Sequence, residues 1–119
     1  MTAAEGEERP LDIATMRESA NRLLSVEKAP PRLEDLDTVT SLLRGHVELL
    51  VPEIRERLDQ LPSDDAPGQV ARIGVEEAWR RLHTPPGFGP VAAYAQAQRL
   101  ARSVNSLCDH YENLRCTSH

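Results

Sequence analysis

Aromatic side chains are nearly missing from this chain: Trp79, Phe88, Tyr94 and Tyr111 are the complete set. A core must therefore be assembled from Leu, Val, Ile and Ala, a palette that suits helices. No window shows the strict apolar and polar alternation of a half-buried strand. Lysine is scarcer still, since Lys28 stands alone among fourteen basic residues and the rest are Arg. No apolar run approaches the roughly 20 residues that span a bilayer. The acidic opening MTAAEGEERP lacks the apolar stretch of a secretion signal. The two cysteines, Cys108 and Cys116, are accordingly expected to be reduced thiols in a cytoplasmic protein.

Motifs of known chemistry are absent too. There is no phosphate loop, dinucleotide fingerprint or nucleophile elbow, and the Gly-containing run Pro86-Gly-Phe-Gly-Pro90 lacks the preceding strand such loops need. Phe88 within that run is expected to tuck into the open end of the fold. His46, Cys108, Asp109, His110, Glu112, Cys116 and His119 include residue types that bind metals or move protons. Their spacing matches neither a structural zinc site nor the Glu-x-x-His pairs of a di-iron bundle, so no catalytic, cofactor-binding or metal-binding residue is assigned. His46 and Cys108 are expected to serve as core residues.

What is present describes one helical domain. A chain of 119 residues with 39% hydrophobic and 28% charged side chains is long enough to bury a modest core and is not depleted like a disordered chain. Clusters at Ala29-Pro30-Pro31, at Leu61 to Gly68 and at His83 to Pro90 punctuate it, because proline removes a backbone donor and restricts the residue before it. Four helices fit between them. The first is expected over residues 11–26, capped by Asp12, with Ile13, Met16, Ala20, Leu23 and Leu24 inward. The second spans 33–61, where Leu36, Val39, Leu43, Val47, Leu50, Ile54, Leu58 and Leu61 follow helical spacing. The apolar period continues in phase across Pro52, so one long helix kinked there is expected, and it is expected to be the central one. The third begins after Asp64 or Asp65 and runs to Leu82 with Ala71, Val75, Ala78, Trp79 and Leu82 inward. In the fourth, after Pro90, the residues Ala93, Ala97, Leu100, Val104, Leu107, Tyr111 and Leu114 form a heptad seam. The fold class is thus all-α, an antiparallel up-down-up-down four-helix bundle. Residues 11–116 would make the domain, 1–10 a disordered acidic tail and 117–119 a frayed end.

The phrases Leu42-Leu-Arg-Gly-His-Val-Glu-Leu-Leu-Val-Pro-Glu53 and Leu100-Ala-Arg-Ser-Val-Asn-Ser-Leu-Cys-Asp-His-Tyr-Glu-Asn-Leu114 resemble a family of short actinobacterial helical proteins of unknown function, over about residues 35–115. That resemblance implies a small cytoplasmic helical protein and carries no activity or ligand with it.

Charge and surface residues point toward interaction. Net charge is −5, which disfavours general nucleic-acid binding. The balance is uneven: residues 1–65 hold eight Arg or Lys against fifteen Asp or Glu, and residues 66–119 hold six against four. Ala92, Ala95, Arg99, Arg102, Ser103, Ser106, His110 and Asn113 share a small, polar side of the fourth helix; arginines there suit carboxylate or phosphate. Leu42 and Leu49 lie off the second helix's core stripe, and Ile73 falls among Arg72, Glu76 and Arg80. Arg99, Arg102, Ser106, His110, Leu42, Leu49 and Ile73 are therefore the candidate partner-binding residues of a non-enzymatic interaction or regulatory module, its partner another protein or a second copy in a homodimer. Two alternatives remain open. One is an accessory to transcription or nucleic-acid binding through the basic C-terminal half, and the other a small-molecule-binding bundle with a cavity lined by His46, Trp79, Tyr94 or Tyr111. The pairs Glu18 and Arg22, Arg44 and Glu48, Glu53 and Arg57, Glu76 and Arg80, and Glu77 and Arg81 are each four apart, a spacing that favours exposed ion pairs.

Overall fold

In a computed structural model of the chain, residues 11–25 and 32–117 are described. Segments 1–10, 26–31 and 118–119 and the side chains of Leu33 and of residues 115–117 lie outside the described residues, and with them the expected tail, the expected end of the first helix at Val26, the Pro30-Pro31 break, the Cys116 thiol and His119. Four helices account for most of the described chain: α1 (Ile13–Leu24), α2 (Leu33–Leu58), α3 (Ala66–Leu82) and α4 (Gly89–Thr117). No strand occurs among the described residues, and none of their helices is long and apolar enough to cross a membrane.

Local chemistry sets the helix ends. Asp12 caps α1, its carboxylate accepting from the Thr15 N–H at 3.1 Å and from the Thr15 hydroxyl at 2.7 Å. Those bonds favour the ionised carboxylate and hold Asp12 below its ordinary value. Asp65 caps α3 by accepting from the Gly68 N–H at 2.8 Å, satisfying one of the donors a helix start leaves over. Helix α2 continues through Pro52. It ends three residues earlier than the apolar period indicates, with residues 59–61 in a turn.

Contacts between helices establish their directions. Arg17 on α1 reaches Asp109 and Glu112 at 2.8 and 2.7 Å, while Asn21 accepts from Asn105 at 2.8 Å, so α1 and α4 run antiparallel. Arg81 donates to Ser103 at 3.2 Å, and Gln96 donates to the Arg81 and Thr84 carbonyls at 3.4 and 3.3 Å, so α3 and α4 are antiparallel as well. Arg72 donates to the Leu58 carbonyl, and Arg55 stands over the Trp79 ring at 5.2 Å, which reverses α2 against α3. Helices α2 and α4 are consequently parallel, and the topology is up-down-up-down.

Helix α2 is central, as expected, and shares that place with α4: each packs against all three other helices, α4 the more extensively, whereas α1 and α3 flank the α2 and α4 pair without touching each other. Three lines along α4 account for this. Ala97, Leu100, Val104, Leu107, Tyr111 and Leu114 are buried on the seam that meets α2, where Arg57 lies over the Tyr111 ring at 4.9 Å. Ala101 and Cys108, seven apart, are buried as well, on the side where Asn105 and Glu112 meet α1. Gln96, Ser103 and His110, also seven apart, meet α3. Leu43, Val47, Leu50, Val51 and Ile54 complete the core from α2.

Two inward assignments change. Trp79 is 42% exposed. It stands about 80° round α3 from the buried line of Ala71, Val75, Ala78 and Leu82 at roughly 100° per residue, which leaves its ring at the α2 rim, beside His83 at 4.3 Å. Phe88 does not tuck into the end of the bundle; its side chain is fully exposed. Gly89 takes φ 90°, a region that side chains disfavour. Pro90 then opens α4, so the chain turns at the glycine and leaves the ring outside.

Candidate interaction surface

The polar side of α4 is split by α3. Ser103 is 5% exposed and accepts from Arg81, and Gln96 caps the last carbonyls of α3. His110 is half-buried and lies over the α3 backbone at Gly74, where a Cβ would come within 2.6 Å of its Nε2. Ser106 Oγ is 3.3 Å from the same nitrogen. His110 therefore leaves the set of outward residues expected from the sequence. Burial favours its neutral form and pushes its pKa down, with Asp109 opposing.

Arg99, Arg102 and Ser106 remain exposed. Among the described residues, neither arginine has an ion pair. Val91 is 85% exposed and Phe88 fully so. At about 100° per residue, Val91, Ala95, Arg99, Arg102 and Ser106 fall within about 80° of one another on α4. That face thus carries the exposed Val91 at its start and a cationic middle, and the fully exposed Phe88 stands in the turn just before it. Phe88 and Val91 were missed by periodicity, and the signal that could have found them was the Gly and Pro frame that forces the turn.

Leu42 and Leu49 are 48% and 53% exposed on α2, on a different side of the bundle. Ile73, 70% exposed, lies on the outer face of α3 in a shallow depression of about 410 Å³ with Arg72, Glu76, Glu77 and Arg80. A second depression of about 290 Å³ runs between α2 and α3 along Arg55, Leu58, Asp59, Arg72, Val75 and Glu76. Neither is lined by His46, Trp79, Tyr94 or Tyr111.

Three of the expected surface ion pairs do not close. Glu18 meets Arg22 at 3.4 Å and Glu77 meets Arg81 at 3.3 Å, but Arg44 and Glu48, Glu53 and Arg57, and Glu76 and Arg80 form no ion pair. Arg57 turns to the Tyr111 ring instead, which leaves Glu53 without its cation.

Two further residues of chemically versatile type are buried. Cys108 is fully enclosed and free; burial, more than the opposing attraction of Arg17, pushes its thiol up to about 11, so it stays protonated and unreactive. His46 is 9% exposed, its Nε2 makes no hydrogen bond, and burial lowers its pKa. No three His, Cys, Asp or Glu side chains converge as metal ligands among the described residues.

The two histidines make stability depend on pH. Both fold in the neutral form with pKa values below the unfolded value of about 6.5, so the unfolded chain binds more protons as pH falls through that value. Their contribution is complete above pH 6.5 and is lost on acidification toward the folded-state values. Thermal melts between about pH 7.5 and pH 5 should show a falling midpoint, with a shallower fall in His110→Gln. An unchanged slope in that variant would remove His110 from the account.

Fold and surface together define a small, all-helical bundle protein with an outward apolar and cationic helix face. The chain belongs to a family of unknown function, DUF6415, whose profile matches residues 14–116 and so takes in all four helices. No curated protein and no solved structure matches it.

Proposed function

We propose that this protein is a non-enzymatic interaction module of the cytoplasm, which binds a protein partner through the outer face of α4 and the turn before it. The observation that carries this reading is Phe88, fully exposed beside Val91 at 85%. A large aromatic held in water by a proline-framed turn gains nothing within the fold, and exposed aromatics of this kind anchor protein interfaces. Arg99 and Arg102, unpaired and on the same face, would orient the partner's carboxylates at the rim. The free, enclosed Cys108 thiol is compatible with a reducing compartment.

Phe88→Ser with Val91→Ser should leave the helical content unchanged by circular dichroism. It should weaken partner capture from the source cells by roughly thirtyfold, the effect of losing a central anchor. Identical captured proteins for wild type, this variant and Arg99→Glu with Arg102→Glu would overturn the proposal.

A further inference from the structure

We infer that the partner of the α4 face is the acidic flank of α2 on a second copy of this chain, so that the protein assembles head to tail. This inference rests on the interaction reading and names its occupant. Three observations on two faces carry it.

The first is charge. Glu53 and Glu56 are exposed on α2 and unpaired among the described residues, because Arg57 is held by Tyr111. Arg99 and Arg102 are their unpaired counterparts on α4. The second is apolar surface. Leu42, Leu49, Glu53 and Glu56 fall within about 60° of one another on α2 at roughly 100° per residue, and the two leucines are about half exposed. The third is spacing. Leu42 and Glu53 are eleven residues apart, as are Val91 and Arg102. Each pair therefore spans about three turns, or about 16.5 Å, along one side of its helix. Laid parallel, Leu42 meets Val91 where Glu53 meets Arg102.

The fold also decides the kind of assembly. Arg102 lies nine residues from Tyr111, about half a turn round α4, and Tyr111 faces α2. The cationic face thus points away from its own α2, and the two surfaces of one molecule cannot both close on a single partner. The contact is heterologous, giving a ring or a growing chain rather than a closed dimer.

Charge-swapped variants provide the test. Light scattering on the wild-type chain at low salt, from about 10 µM to about 1 mM, should show a mass rising above 13.2 kDa and falling back as salt screens the contact. Arg99→Glu with Arg102→Glu should remain monomeric, and so should Glu53→Arg with Glu56→Arg, each raising the dissociation constant roughly a hundredfold. Mixed in equal amounts, the two variants should associate, since each now carries a face complementary to the other. Amide shifts on dilution of the wild type should map to residues 42–56 and 88–106, a readout that depends on no variant. A wild type that stays monomeric throughout overturns the second-copy inference while leaving a foreign partner for α4. Self-association that survives either swap, or that the mixture fails to restore, removes the α2 and α4 pairing.

Discussion

Leu107→Ala is expected to cost about 3 kcal/mol of stability and to lower the melting temperature by roughly 10–20 °C. Leu107 is fully enclosed on one of the two helices that touch every other helix. Truncation there removes apolar area and leaves a cavity that elements packed on three sides cannot easily collapse. Leu42→Ala is the matched control: the same chemistry at a side chain that is 48% exposed should cost no more than about 0.5 kcal/mol. Urea unfolding of both variants measures the difference. Equal costs would mean that α4 does not share the centre of the bundle.

Gly74→Ala should also destabilise, against the usual direction. Alanine in a helix interior ordinarily gains up to about 1 kcal/mol over glycine. Here the added Cβ would stand 2.6 Å from His110 Nε2 and 2.8 Å from its Cδ2, closer than atoms pack. The imidazole must swing out of its place against α3 and give up its 3.3 Å contact with Ser106, so a net loss of about 1 kcal/mol is expected. In a His110→Ala background the obstacle is gone and Gly74→Ala should become neutral or stabilising. The resulting coupling, about 2 kcal/mol in a double-mutant cycle, measures the contact directly. A glycine replaced without loss in the wild-type background would show that the His110 imidazole swings aside at little cost and does not hold α3 in place.

Much of the fold was legible because it is written in local terms. Asp12 and Asp65 are short acceptors placed before apolar periods, and both cap as their chemistry requires. The α2 stripe from Leu36 to Leu58 is buried at nearly every expected position, since a helix that keeps its period has one side to hide. Leu42, Leu49 and Ile73 were recognisable as exposed for the converse reason. The candidate site was less legible. Arg99, Arg102 and Ser106 lie outward as read, but Ser103 and His110 do not, and Phe88 is outside where an aromatic in a short loop was expected inside. Ion pairs four apart were the least readable, because Arg57 has a ring from another helix within reach and takes it.

Sequence alone determined where each helix starts and, to within about three residues, where it stops, which stripe of each is apolar, and that short connections alternate their directions, for these depend on capping, proline and the helical period within a few residues. Tertiary structure decided that α4 shares the centre with α2 and which polar side chains are covered. Periodicity places a residue on a side of its own helix but cannot say what lies opposite. A backbone brought close at Gly74, a carbonyl end presented to Gln96 and a guanidinium reaching Ser103 made a buried seam out of a row of residues that, taken alone, would face water.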